Sequence, residues 1–540
     1  MSGLLSFWPL IPVLLPTVAA CSLKAQGRRK PSGATLDKVT MFFGYTLLAL
    51  AVFMVLFVAA GSGSVSIGIQ MDILSANVPI DFLTLGLAIT PTTGILSAMV
   101  MAIGGFCALF ARRYLEGDPA LKRFLIFLGL TIGSVQGFLF ADSLMLMVAC
   151  WIAVSLNVNR LLLLYPERIE AQRAASKKSV LARIGDILFL IAAVLLTYQA
   201  GTDNLSAALD AANQAAGGIT FAAGLLIAFA AVLKAAQFPF QSWLIEVMET
   251  PTPVSALLHG GIVNAGGILI LRFADIIALN TTALLILLLF GAVTSIVGSA
   301  AMMVQTSIKA KLAWSTVAQM GLMMIQCGFG AFTFALLHIV AHSFYKAHSF
   351  LSAGSVISET RLATPESNSP ADGFWFGAIL VSCLTIVFAF KAVNGTLAGG
   401  NTLFFAAILA LGLSGLWIRM FEFTTLNLKA LFMVVGIMGA SVIGYLVLHH
   451  GIVLWVPELA ALSENSEAVS GIADFGAKSI ILILLSLLAF AQWRYRTAAP
   501  SGWTARFFLH ARNGFYAGMY LDRWLAHHRQ SPAKPAEVSR

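Results

Sequence analysis

The amino-acid sequence predicts an all-α membrane protein of about fifteen transmembrane helices, from its composition, the length of its apolar runs and their lack of alternation. Of the 540 residues, 59% are hydrophobic and 11% charged. The mean hydropathy is +0.88, whereas soluble domains carry about a quarter charged residues. Stretches nearly free of charge and about 20 residues long, enough to cross hydrocarbon, recur from Leu4 to Phe490. They are continuously apolar, without the ten-residue alternating units of barrel strands, so each satisfies its own backbone in lipid as a helix.

In order, the predicted spans fall near residues 4–21, 40–60, 82–110, 122–140, 143–164, 179–198, 219–235, 253–274, 283–304, 312–328, 332–356, 373–393, 403–424, 429–449 and 476–493. The first ends in Val18-Ala19-Ala20-Cys21 like a signal peptide, but it has no basic residues before its apolar part and several after it, so it reads as a span. The five cysteines, Cys21, Cys107, Cys150, Cys327 and Cys383, all lie in apolar segments without metal-ligand spacing, which makes them packing residues and leaves no metal or cofactor expected in this chain.

The formal net charge of +9 marks topology here, and no nucleic-acid partner is expected. Lys24, Arg28, Arg29, Lys30 and Lys38 follow the first span, Arg112, Arg113, Lys122 and Arg123 the third, and Arg160, Arg168, Arg173, Lys177 and Lys178 the fifth. Loops at 61–71, 197–217, 275–282, 394–402 and 450–475 contain no Lys or Arg. The positive-inside rule puts the basic loops and the C-terminus in the cytoplasm and the N-terminus in the periplasm. The basic, aromatic tail from Arg494 to Arg540 is either a docking site for a soluble partner or a segment held at anionic headgroups of the lipid bilayer.

Ionisable side chains inside spans cost about 3 kcal/mol each on insertion scales, so each is a functional candidate. They are Asp81, Asp142, Arg183, Asp186, Lys234, Glu246, Glu249, His259, Arg272, His338, His342, Lys346, Lys391, Arg419 and Glu422. Lys234 precedes a helix break at Phe238-Pro239-Phe240, and the chain restarts after Thr250-Pro251-Thr252-Pro253. Broken helices inside bundles are tolerated where protein or water satisfies the freed backbone, and such breaks line ion paths; the alternative is a kinked helix whose lysine snorkels to the interface. His338, His342 and Lys346 recur at i, i+4 and i+8 and share one helix face. Histidine exchanges protons near neutrality, and a lysine in apolar surroundings titrates lower than in water, so the row fits a proton conduit. Arg183 and Asp186, three apart, either brace the bundle or tune its field; Lys309 either faces the cytoplasm or points into the bundle; Lys391 suits the exit of a path.

At these residues the chain resembles the antiporter-like subunits of respiratory complex I and of multi-subunit sodium/proton antiporters, over roughly residues 80–425. The strings that carry the resemblance are Tyr114-Leu115-Glu116-Gly117-Asp118-Pro119, Arg183-Ile184-Gly185-Asp186, Lys234 with Gln237-Phe238-Pro239-Phe240-Gln241-Ser242-Trp243-Leu244, and Pro251 to His259, with further matches at Lys309–Gln319 and His338–Ile357. It implies two inverted five-helix repeats, here about residues 111–280 and 281–425, after N-terminal helices at 1–110 and before C-terminal helices at 426–493 and the tail at 494–540. It also implies that Lys234 is the central lysine of the broken seventh helix, His259 the polar residue of the eighth, and His338 and His342 the relay of the eleventh.

One departure stands out. The family's fifth helix carries a glutamate after a tryptophan, and here Trp151 is followed by Ile152. Either the compensating carboxylate comes from Asp142, Asp186 or a partner subunit, with Glu246 and Glu249 as further charge partners, or Lys234 works differently. The family's Phe-Pro-x-Phe-Ser-Gly motif and its lateral helix are also missing. These departures, with Leu257-Leu258-His259-Gly260-Gly261-Ile262-Val263-Asn264-Ala265-Gly266-Gly267, resemble the DabB-like membrane subunit of DAB inorganic-carbon accumulation systems. That resemblance implies a bacterial inner-membrane subunit conducting H⁺ or Na⁺, paired on the cytoplasmic side with a large soluble DabA-like zinc protein that hydrates carbon dioxide to bicarbonate. The zinc is thus expected in the partner. The chain itself reads as a transporter subunit, since no paired nucleophile and base, phosphate loop or metal cluster occurs in it. The rival readings are a subunit of a complex I or sodium/proton antiporter assembly, and a non-conducting membrane scaffold.

Overall fold

A computed structural model describes residues 10–25, 33–59, 65–70, 84–215, 217–354, 400–423, 428–465, 472–497 and 502–529. The chain is a multi-pass helical membrane protein. Among the described residues, eight helices are long and apolar enough to span a bilayer, joined by four shorter apolar ones. In order the helices are α1 (Ile11–Ala25), α2 (Gly33–Ala59), α3 (Pro91–Tyr114), α4 (Ala120–Phe140), α5 (Leu144–Leu162), α6 (Ile169–Ala200), α7 (Leu205–Gln214) and α8 (Gly218–Lys234). After the break come α9 (Ser242–Glu246), α10 (Thr252–Gly260), α11 (Ala265–Arg272), α12 (Ala274–Ala278), α13 (Thr281–Met303), α14 (Ile308–Gly328) and α15 (Phe332–Leu351). The rest are α16 (Gly400–Phe423), α17 (Leu428–Trp455), α18 (Pro457–Asn465), α19 (Ile472–Thr497), α20 (Gly502–Arg512) and α21 (Ala517–Arg529). The predicted span at 373–393, with Lys391, lies outside the described residues, as does Asp81.

Several boundaries differ from the sequence expectation, each for a local reason. The span predicted to start at residue 82 starts at Pro91. Thr90 caps it, its hydroxyl accepting from the Thr93 amide while the Thr93 hydroxyl accepts from the Thr90 amide. The residues before it form strand β2 (Thr84–Ile89), paired antiparallel with β1 (Val65–Gln70) in the register Val65↔Ile89 to Gln70↔Thr84. Helix α6 begins ten residues before its predicted start at 179, so Lys177 and Lys178, read from sequence as exposed loop charges, are buried within it. It ends at Gly201, whose φ of 70° is left-handed backbone open to glycine without strain. The loop at 197–217, which has no Lys or Arg, contains α7, and the tail contains α20 and α21.

The core forms where helices approach closely. Helices α13 and α14 cross through small residues: a Cβ at Gly321 would lie 2.5 Å from the Ser295 nitrogen, and one at Gly291 would lie 2.7 Å from the Gly321 carbonyl oxygen. In a membrane, where lipid is as apolar as the core, such close backbone packing is what binds one helix to another.

The break after Lys234 is stabilised from a neighbouring helix. The Phe238 amide, freed from the helical ladder, donates to Thr294 Oγ1 at 2.9 Å. A second interruption, absent from the sequence expectation, divides the eighth span into α10 and α11 around a 3₁₀ turn at Ile262–Asn264. There Gly260 lies against α15, and a Cβ on it would sit 2.9 Å from the Ser343 carbonyl.

The bundle has two ends. At one, Asp142 accepts from Asn204 Nδ2 at 2.8 Å and Ser206 Oγ at 3.0 Å, tying the loop before α7 to the loop before α5. At the other, Lys177 of α6 pairs with Glu246 of α9 and, at 2.7 Å, with Asp522 of α21. This latter end is capped by the folded tail, where Ala511 packs with Ala300 and Val304 and Gln305 Nε2 donates to the Arg512 carbonyl at 3.3 Å.

Candidate functional site

Two polar clusters interrupt the apolar core, joined by the broken helices. The first is centred on Lys234, at the last residue of α8, where the helix stops and aims its ammonium across to α5 and α6. Its Nζ donates to Ser155 Oγ, lies 3.8 Å from Asp186 Oδ1, and sits 4.1 Å from the centroid of the Trp151 ring, within cation–π range. Asp186 is also held by Arg183 Nη2 at 2.6 Å, and Lys178 Nζ donates to the Ser155 carbonyl at 2.5 Å. One carboxylate therefore serves a cluster with three basic side chains, and Ser155 bridges two of them. Lys234 and Asp186 are both nearly enclosed, with side chains 7% and 5% exposed.

The carboxylate beside Lys234 is thus Asp186. Asp142 is occupied at the opposite end of α5, next to the Ala141 carbonyl that accepts from Arg272 Nη2 at 2.6 Å. Glu246 pairs with Lys177 instead of Lys234, and the side chains of Glu249, Arg419 and Glu422 lie outside the described ones. Arg183 and Asp186 form the expected pair on α6, and the pair reaches Lys234.

The second cluster lies on α15. His338 Nδ1 is 3.0 Å from Gln326 Oε1 of α14, the His338 and His342 rings are 5.9 Å apart, and Lys346 Nζ donates to the Leu312 carbonyl at 3.2 Å. His259 on α10 stacks on Phe350 with centroids 4.4 Å apart and planes 15° apart. Lys309 is half-exposed in the first turn of α14, three residues before Leu312. His338 and His342 line a recess of about 310 Å³ together with Gln319, Gln326, Tyr345 and Tyr445.

Between the clusters the core is polar. Gln237, Gln241, Ser255, His259 and Asn264 are all buried, and Asn264 Nδ2 donates to Ser343 Oγ at 2.7 Å. Gln237 Oε1, Gln241 Oε1, both ring nitrogens of His259, Asn264 Oδ1 and His342 Nε2 are buried without a hydrogen-bond partner among the described residues. Buried polar atoms of this kind are satisfied by internal water. The arrangement can hold a hydrated chain of titratable groups from Lys234 through the breaks to α15. Sequence reasoning missed Ser155 and Gln326. Ser155 lies four residues after Trp151, on the same face of α5, so helical spacing from that tryptophan points to it. Nothing in the sequence marks Gln326.

Comparisons with known proteins agree with this architecture. The family described as NADH:quinone oxidoreductase/Mrp antiporter, TM, matches residues 141–392. The probable inorganic carbon transporter subunit DabB2 of Halothiobacillus neapolitanus is 34% identical over 496 residues, covering 90% of this chain and 86% of that protein. The probable inorganic carbon transporter subunit DabB of Hydrogenovibrio crunogenus is 35% identical over 434 residues, 77% of each chain. Among solved structures, the Mrp complex from Dietzia sp. DQ12-45-1b has a chain matching 96% of this one over 60% of its own length, with a TM-score of 0.62 and 23% identity, a likeness of fold.

Proposed function

Because this chain belongs to the DabB family of inorganic carbon transporter subunits, built on the antiporter-like fold, we propose that it conducts protons across a bacterial inner membrane and couples their flow to inorganic-carbon accumulation. The coupled chemistry, hydration of carbon dioxide to bicarbonate, belongs in this reading to a soluble DabA-like zinc partner on the cytoplasmic side, where the basic loops and the C-terminus also lie. Residues 111–280 and 281–425 form the two inverted halves. The observation that carries the reading is the enclosed Lys234 cluster at a helix break, with Asp186 at 3.8 Å and Ser155 in contact. A buried lysine facing a single carboxylate shared with other cations gains or loses a proton as that carboxylate's attention shifts. His259, His342, His338 and Lys346 then relay it, with Lys309 at the start of α14 at one end of the route.

The drive is sufficient. One proton crossing 100 mV releases about 2.3 kcal/mol, which biases a coupled equilibrium about fifty-fold. The test is replacement of Lys234 by Ala, followed by mild-detergent purification, zinc analysis and inorganic-carbon uptake in cells. The expected variant keeps the zinc-bearing partner and loses accumulation. Retained accumulation would leave a scaffold role instead, and co-purification with several hydrophobic antiporter-like subunits without a zinc protein would point to a respiratory or sodium/proton assembly.

A further inference from the structure

The polar row on α15 does not continue along α15 toward the Asp142 end of the bundle. One turn beyond His338 stands Phe334, followed by Phe332 at the helix start. The polar groups cross instead to α17. There Tyr445 and His449, four residues apart and so on one face, both turn toward Phe334. The His449 ring stacks on it with centroids 4.0 Å and planes 23° apart, and the Tyr445 ring lies 6.4 Å away. His449 Nε2 also lies 3.3 Å from Thr333 Oγ1. Tyr445 lines the same recess as His338 and His342. At about 310 Å³ that recess has room for about ten water molecules at their liquid volume. His449 stands one turn, about 6 Å, beyond it along α17.

We propose that His449 is the relay residue that passes protons between this recess and the Asp142 end of the bundle. The inference rests on the conducting role proposed above and extends the route to a helix that the α15 row does not reach. The step needs no co-reactant: an imidazole takes a proton from recess water at one ring nitrogen and releases one to bulk water from the other. The stacking on Phe334 holds the ring in place, and the Thr333 hydroxyl fixes which nitrogen faces the helix.

The test uses the purified complex in proteoliposomes with a potassium-set potential and an internal pH dye. His449→Gln and His449→Ala are compared with wild type, with Lys234→Ala, and with His450→Gln, a change at the neighbouring exposed histidine. The expected result is at least a tenfold loss of proton flux in both His449 variants, recovery of the Ala variant on adding imidazole, and wild-type flux for His450→Gln. A packing role alone would not respond to free imidazole. Wild-type flux in both His449 variants, or a loss that imidazole does not reverse, overturns the inference. If wild type passes no protons, the conducting role itself falls; if flux is abolished by Lys234→Ala yet untouched at His449, only the present inference falls.

Discussion

Replacing Asp186 by Asn removes the one carboxylate beside Lys234 among the described residues while keeping its size. The two groups are 3.8 Å apart and nearly enclosed, so at an effective dielectric constant of about 20 their attraction is about 4 kcal/mol. If the attraction acts fully on the rate-limiting step, proton flux falls about a thousandfold; if a third of it does, about tenfold. Arg183, freed by the same change, is 43% exposed and turns to water at little cost. The assay is potential-driven acidification of proteoliposomes, with monodispersity on size exclusion as the check that the variant is folded. Two companions sharpen it. Asp142→Asn alters a carboxylate held by Asn204 and Ser206 at the far end of the bundle and is expected to leave flux within about twofold of wild type, because Asp142 lies at the opposite end of α5 from the Lys234 cluster and both hydrogen bonds can be kept by the amide. Ile152→Glu in the Asp186→Asn background puts a carboxylate next to Trp151, whose ring lies under Lys234, and is expected to restore part of the flux. A folded Asp186→Asn variant with undiminished flux would refute the assignment of Asp186 as the partner on which Lys234 depends.

Gly321→Ala forces a methyl to within 2.5 Å of the Ser295 nitrogen at the α13–α14 crossing; a loss of about 1–3 kcal/mol is expected, read as a lower unfolding temperature of the detergent-solubilised chain. In the loop between α5 and α6, Tyr165 donates to Asp118 Oδ2 at 2.5 Å. Burial, then that bond, push its phenol up to about 12. A folded value above the unfolded one means that the stability from this bond is complete below about pH 10 and lost as pH rises through the folded value, so Tyr165→Phe should remove one late-ionising tyrosine from the ultraviolet titration. Asp522→Lys places a cation beside Lys177, which pairs with Asp522 at 2.7 Å in the wild type; faster chymotryptic cleavage in the tail is expected, and an unchanged digestion rate would show that the tail is held by its apolar contacts alone.

Much of the site could be read from residue spacing, because the relevant signals are local. The i, i+4, i+8 order of His338, His342 and Lys346 puts them on one face of any helix they join, and the structure has them on α15. The prolines after Lys234 end α8 whatever surrounds it, since proline cannot supply the ladder donor. The β1–β2 hairpin was hidden because Thr84–Ile89 is as apolar as the helix that follows and too short to declare its period. Lys177 and Lys178 misled for the opposite reason: their charge fits a loop, and only the packing of α6 against α5, α9 and α21 buries them and gives them partners.

The sequence by itself determined that the chain lives in a bilayer, that the helix carrying Lys234 breaks and which titratable groups share a helix face, because hydropathy, proline and helical periodicity act within a few residues. Only the tertiary structure decided which groups from different helices meet. Ser155 lies 79 residues before Lys234 and Thr333 lies 116 before His449, and no local rule spans such distances. Several carboxylates could neutralise Lys234 on chemical grounds. The choice of Asp186 follows from how α6 and α8 dock, since Coulomb attraction favours whichever charge the packing brings within about 4 Å.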